Sequence, residues 1–210
     1  MPTYLSLESV PTLSPTFLTT VNVLTISNPC PDDLDKKETL LDDLTLKYDI
    51  IVVDDENRQV FCTELKFDGE GWLGLGISEK GEMIGSTAVI GIPGTNDAPG
   101  LYSLDGKTNS LVTLLPEQDQ TLLDASIIQE NGTTLLRFAK YIDDGNEDFV
   151  VKVPGVTNFI YAAADSNEFG YHGMRRGSLS LVLSNAKSWK KAKRQSRDKE
   201  STESKKQNDR

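Results

Sequence analysis

The chain holds a single histidine, His172, in the segment YHGMRRGS (171–178), and three methionines, Met1, Met83 and Met174. One imidazole builds neither a multi-histidine zinc site nor a relay with a second histidine, but it can be one half of a two-ligand site. Taken alone, His172 reads as a hydrogen-bonded or surface residue, and methionine supplies the chemical alternative. A haem iron with two protein ligands takes them from opposite faces of the porphyrin. Side chains two apart on a strand share a face, so Met174 is poorly placed to partner His172. Met83 lies in GEMIGSTAVI, in a loop leading into a strand, 89 positions before the histidine. It can approach from another strand end.

Other motifs fail on their own spacing. Gly106-Lys107-Thr108 ends like a phosphate loop, but Leu101 stands where the first glycine is required. GWLGLG departs from the dinucleotide fingerprint and reads as strand, and no G-x-S-x-G elbow is present. Neither cysteine adjoins His172 as covalent haem attachment demands. The pairs Asp54-Asp55 and Asp143-Asp144 offer calcium ligands, yet they fall where turns are expected, and turn chemistry accounts for them better.

The elements that must position any site are strands. LTLKYDIIVV (44–53), VFCTELKF (60–67), WLGLGIS (72–78), STAVIGI (86–92), LLDASII (122–128), TTLLRFAKYI (133–142), FVVKV (149–153), TNFIYAAA (157–164) and SLSLVLS (178–184) are short apolar runs separated by Gly, Pro, Asn and Asp. No window outside the C-terminal tail shows a 3.6-residue period. The pattern predicts an all-β fold, an antiparallel, immunoglobulin-like β-sandwich of about nine to eleven strands. QENG between the fifth and sixth runs predicts a tight hairpin. Asn131-Gly132-Thr133 is also a glycan acceptor sequence if the chain is secreted.

Residues 1–40, rich in Thr, Ser, Pro and Asp, are expected to be irregular with an edge strand in VNVLTI; the sandwich is expected over 41–185. From Ala186 the chain carries ten Lys/Arg against four Asp/Glu, leaving 12 basic and 28 acidic residues before it. That tail is too poor in aliphatics to offset its ordering entropy and is expected to be disordered. An acidic body repels phosphate backbones, so nucleic acid is not an expected partner. No apolar run approaches the roughly 20 residues that span a bilayer. FLTTVNVLTI (17–26) lacks a basic start and is a poor signal peptide, so the chain is expected to be a fragment or to have a missing or unusual leader. Cys30 and Cys62 are expected to form a disulfide in an oxidising compartment or to be buried thiols.

Three segments then resemble the DOMON family. GWLGLGIS followed by GEMIGSTAVIGI is similar to its first signature, an aromatic-glycine strand leading to methionine and a Gly-Ser step. NGTTLLRFAKYI resembles its central strand, and FIYAAADSNEFGYHGMRRGSLSLVL resembles its closing signature, with His-Gly-x-x-Arg-Gly-Ser opening the last strand. The resemblance covers about residues 40 to 185, in order. It implies a β-sandwich that binds non-covalent haem b through Met83 and His172, since haem-free relatives tend to lack one or both. It implies one-electron transfer with a redox protein or a small-molecule donor or acceptor, more an electron-transfer domain than a catalyst. It implies an extracellular or membrane-associated location, in some relatives beside a cytochrome b561-type membrane domain. The haem is expected at one end of the sandwich, with Arg175 or Arg176 on a propionate, Trp72, Phe159 and Tyr161 as an apolar wall, and Tyr171 near the haem edge. The alternative within the family is a haem-free module that binds carbohydrate or another partner, marked by exposed aromatic rings on a sheet face.

Overall fold

The computed structural model describes residues 28–53, 57–95 and 97–186. The VNVLTI strand, Asp54-Asp55 and the basic tail lie outside the described residues. Eleven strands follow in chain order: β1 Lys36–Leu41, β2 Leu44–Val52, β3 Gln59–Phe67, β4 Leu73–Ile77, β5 Ser86–Gly91, β6 Gly100–Leu104, β7 Val112–Leu114, β8 Leu122–Glu130, β9 Thr133–Tyr141, β10 Gly155–Ala163 and β11 Arg176–Leu183. They form two antiparallel sheets, β1-β2-β3-β9-β8 and β11-β10-β4-β5-β6-β7, as the alternating runs predict. β1 starts inside the stretch expected to be irregular.

Period-two alternation decides which residues meet between the sheets. On β2, Leu44, Leu46, Tyr48 and Ile50 turn inward; on β3, Phe61, Leu65 and Phe67 do so; β4 supplies Leu73 and Leu75 from the opposite sheet. Phe61 is the hub, with Phe159 of β10 stacked on it at 5.5 Å and Phe138 of β9 edge-on at 6.4 Å. Asn131 and Gly132 both take positive φ, 53° and 74°, and join β8 to β9 with Glu130 opposite Thr133. This is the tight hairpin that Asn-Gly favours.

FVVKV does not pair as a strand. Residues 149–153 are irregular, although Phe149 and Val151 are buried in the core. Their alternation reflects burial, but the backbone bonds to side chains: Phe149 N–H to the Asn146 amide oxygen (3.3 Å) and Lys152 N–H to Thr157 Oγ1 (2.9 Å). The segment plugs one end of the sandwich.

The outer face of the five-stranded sheet is covered by residues 28–35. Leu34 packs on Ile51, Val60, Cys62 and Ala139, and a Cys30–Cys62 disulfide ties this strap to β3. The bridge closes a separation of 32 residues, which stabilises by about 3.7 kcal/mol through the unfolded chain. Cys30→Ser with Cys62→Ser should therefore lower the urea midpoint under oxidising conditions, and reductant should do the same to the wild type. Unmoved midpoints in both would show that the strap adds nothing to stability. Among the described residues no helix is long and apolar enough to cross a membrane.

Candidate functional site

The six-stranded sheet buries apolar residues on both faces. Its inner face feeds the main core. On its outer face Trp72, Ala88, Ile90, Leu104 and Ala164 form a second buried cluster, against which Met83, Tyr102, Ile160, Ala162 and Phe169 pack. The floor is low because β4 presents Gly74 and Gly76 there. A Cβ on Gly74 would lie 3.6 Å from both Ile90 and the Trp72 ring, an ordinary contact. Gly74→Ala should accordingly fold with a stability change of no more than about 1 kcal/mol. Gly74→Leu adds three carbons where a Cβ alone already touches Ile90 and Trp72, and overpacking should cost about 1–3 kcal/mol. The check is the melting temperature of both variants; a leucine variant that melts with the wild type would contradict this packing.

Met83 sits half-buried in the β4–β5 connection. The residue before it is held from both sides. Ser78 Oγ donates to the Glu82 carbonyl (2.7 Å) and accepts from the Glu82 N–H (2.9 Å), and Ser86 Oγ donates to the same carbonyl (2.6 Å). Gly81 and Gly85 take φ of +74° and +77°, and the Gly85 N–H donates to the Leu104 carbonyl at 2.9 Å. The loop that carries the thioether is thereby pinned where β4 hands over to β5.

His172 sits in the β10–β11 connection. The neck of that loop is closed by backbone bonds from Ala164 N–H to the Trp72 carbonyl and from Trp72 N–H to the Ser166 carbonyl. Across the neck, Arg175 donates to Asp43 (2.7 Å) and to both oxygens of Asp165 (2.6 Å). The span between is anchored by a reciprocal amide pair, Gln129 with Asn167, and by Asn109 Nδ2 donating to the Phe169 carbonyl (3.0 Å). Nδ1 of His172 lies 3.3 Å from the Gly173 carbonyl. In the tautomer that donates from Nδ1, Nε2 keeps a free lone pair, the arrangement a metal-binding imidazole needs. Burial holds the imidazole pKa below its ordinary 6.5 against the opposing pull of the Gly173 carbonyl, and the Arg176 charge lowers it slightly further.

The expected site residues separate into two groups. Trp72 is buried, with ring centroids 6.1 Å from His172 and 5.3 Å from Phe169. Tyr171 lies 5.3 Å from His172 and is exposed, and Arg176 lies over the Tyr171 ring at 5.9 Å with no ion pair among the described residues. Arg175 is neutralised by its two aspartates. Met174 is 85% exposed and turns to solvent. Phe159 and Tyr161 face the other way: Phe159 stacks on Phe61 in the main core, and the Tyr161 hydroxyl donates to the Leu40 carbonyl. They sit on the opposite side of β10 from Ile160 and Ala162, so the expectation that they wall a ligand beside Trp72 is corrected by strand parity.

The Met83 and His172 loops also do not share one end of the sandwich. The Met83 loop follows the C-terminal end of β4. The His172 loop follows β10, whose last residue, Ala163, pairs with Leu73 at the N-terminal end of β4. About 14 Å of strand separates their roots, and they meet the same outer face from opposite ends. Sequence reasoning passed over Phe169, Tyr102, Ser78 and Ser86. Phe169, the sole aromatic in the polar run ADSNEFG, carried the clearest signal, because a lone ring in a loop usually has a surface to cover.

Fold and site together define a β-sandwich whose outer sheet face is apolar, floored by glycine and bordered by one thioether and one imidazole. No family model matches the chain. Among solved structures it is similar to the cytochrome b domain of pyranose dehydrogenase from Coprinopsis cinerea, with 11% sequence identity, a TM-score of 0.46, and coverage of 66% of this chain and 75% of that one.

Proposed function

We propose that the outer face of the six-stranded sheet binds haem b non-covalently through Met83 and His172, and that the protein is a one-electron transfer module. The observation that carries this reading is the placement of the chain's one histidine and a half-buried methionine against the same Trp72 cluster. The resemblance of three ordered segments to DOMON cytochromes supports it.

The residues present fit such a group. The cluster is apolar, and imidazole with thioether is a known donor set for the iron of cytochromes. Held by His172 and Met83, such a group would supply one-electron exchange, at a potential that a thioether donor raises. The chain's own residues do the rest. Ser78 and Ser86 fix the Met83 loop, the Gly173 carbonyl orients His172, and Arg176, the cation without an aspartate, pairs with a propionate at the mouth. The partner is a redox protein or a small-molecule donor or acceptor, in some settings a cytochrome b561-type membrane domain. The disulfide suits an oxidising compartment, extracellular or on the non-cytoplasmic side of a membrane. A carbohydrate module would instead present aromatic rings on a sheet face; among the described residues the exposed aromatic, Tyr171, is in a loop.

The test is titration of the purified chain with haemin, followed by dithionite. The reading expects saturation at one equivalent, a Soret shift and sharpened α and β bands on reduction. A chain that stays colourless, or that takes up haemin without saturating, would overturn it.

A further inference from the structure

Trp72 carries an unexplained feature. It is 4% exposed, and its Nε1–H is a buried side-chain donor without an acceptor among the described residues. Buried N–H groups are almost always paired, and leaving one unmade costs the desolvation of the donor, about 1–3 kcal/mol. The surroundings offer no reason to retain that cost for packing. The ring lies between the glycine floor and the loop that carries Phe169 and His172, with its six-membered edge toward Gly74. Phenylalanine would fill most of the same space without an orphaned donor.

We infer that the Trp72 indole N–H is a hydrogen-bond donor to a carboxylate of the bound macrocycle. The inference rests on the haem reading above and adds a recognition element to it. The only polar groups on the rim of haem b are its two propionates, and both are acceptors. Arg176 beside His172 provides for one at the solvent-facing mouth, and Trp72 provides for the other from within the cluster. A bond from a buried neutral donor to a charged acceptor is of the stronger kind. The site would thus choose carboxylate-bearing porphyrins over flat apolar rings of the same size.

The experiment compares wild type with Trp72→Phe, using haemin and an iron porphyrin that carries only alkyl substituents. Melting temperatures of the haem-free proteins come first: Trp72→Phe should melt at or above the wild-type temperature, because a buried unsatisfied donor has gone. Its affinity for haemin should fall by roughly tenfold or more, the worth of a hydrogen bond to a charged group. Its affinity for the alkyl porphyrin should match the wild type's. If Trp72→Phe is too unstable to compare, Arg176→Gln decides: with Trp72 the propionate donor that remains, it should still prefer haemin to the alkyl porphyrin by at least that factor. Equal haemin affinity in wild type and Trp72→Phe, or no preference by Arg176→Gln, overturns the assignment of Trp72 and leaves haem binding intact. A wild type that takes up neither porphyrin overturns both.

Discussion

Met83→Ala and His172→Ala should each abolish the six-coordinate, low-spin spectrum of the haem-loaded protein, while Met174→Ala should leave it unchanged. The contrast follows from placement. Met83 packs on the Trp72 cluster and His172 lies against the Trp72 ring, whereas Met174, two residues from the histidine, is 85% exposed. None of the three substitutions removes a fully buried residue, so the haem-free chain should still fold, with Met83→Ala losing more melting temperature than Met174→Ala. Met83→His adds a quantitative arm. It keeps two strong ligands and the low-spin state, but it exchanges a thioether for an imidazole. The midpoint potential should fall by on the order of 100 mV, within the roughly 0.8 V range that axial ligation spans. A low-spin spectrum that survives Met83→Ala would remove the sulfur from the site.

The largest expected loss of stability lies far from that face. Lys140 points inward from β9 with 1% of its side chain exposed, ion-paired to half-buried Asp144 and 6.0 Å from the Phe149 ring. Asp144→Asn strips that ammonium of its counter-charge and should cost about 3–5 kcal/mol, the usual penalty for leaving a buried charge unpaired. Lys140→Met combined with Asp144→Asn should recover most of it, because the pair as a whole contributes less than either half costs when broken. Urea unfolding of the three proteins reads both effects. Acid gives an independent check. Burial pushes the Asp144 carboxyl up, but hydrogen bonds from Lys140, Thr121 and the Asn146 amide, with the Lys140 charge, hold it net below its ordinary 3.8. A carboxyl whose folded pKa is depressed contributes stability fully above its unfolded value and loses it as pH falls through the folded one. The wild type should therefore shed this contribution below about pH 3.8, and Asp144→Asn should lack that part of the acid limb. A single variant that unfolds at the wild-type urea concentration would contradict the pairing.

Much of the fold was legible because its signals are local. Alternation in LTLKYDII and VFCTELKF placed Leu44, Leu46, Phe61 and Leu65 on one face, and Asn131-Gly132 marked its hairpin without ambiguity. β6 and β7 escaped notice because GLYSL and VTL are short and partly polar; they are strands by virtue of the neighbour they pair with. FVVKV misled for the converse reason. Alternating burial is what a strand and a core-plugging segment share, and only hydrogen bonding tells them apart. For the site, residue types and their separation pointed to Met83 and His172, but not to the face they border. That depended on the parity of β10, which turns Ile160 and Ala162 outward and Phe159 inward, and on antiparallel pairing that brings the end of β10 to the start of β4. The ties of Arg175 to Asp43 and Asp165 span 132 and 10 positions, beyond the reach of any local pattern.

The account turns on whether one iron joins the Met83 and His172 loops across the face of the sheet. The most direct measurement is the proton spectrum of the haem-loaded, reduced protein, with methionine methyls labelled. A Met83 methyl shifted far upfield by the porphyrin ring current, lost in Met83→Leu and kept in Met174→Leu, is the predicted result. Methyl resonances that all stay at ordinary positions in a protein that has taken up haem would contradict it.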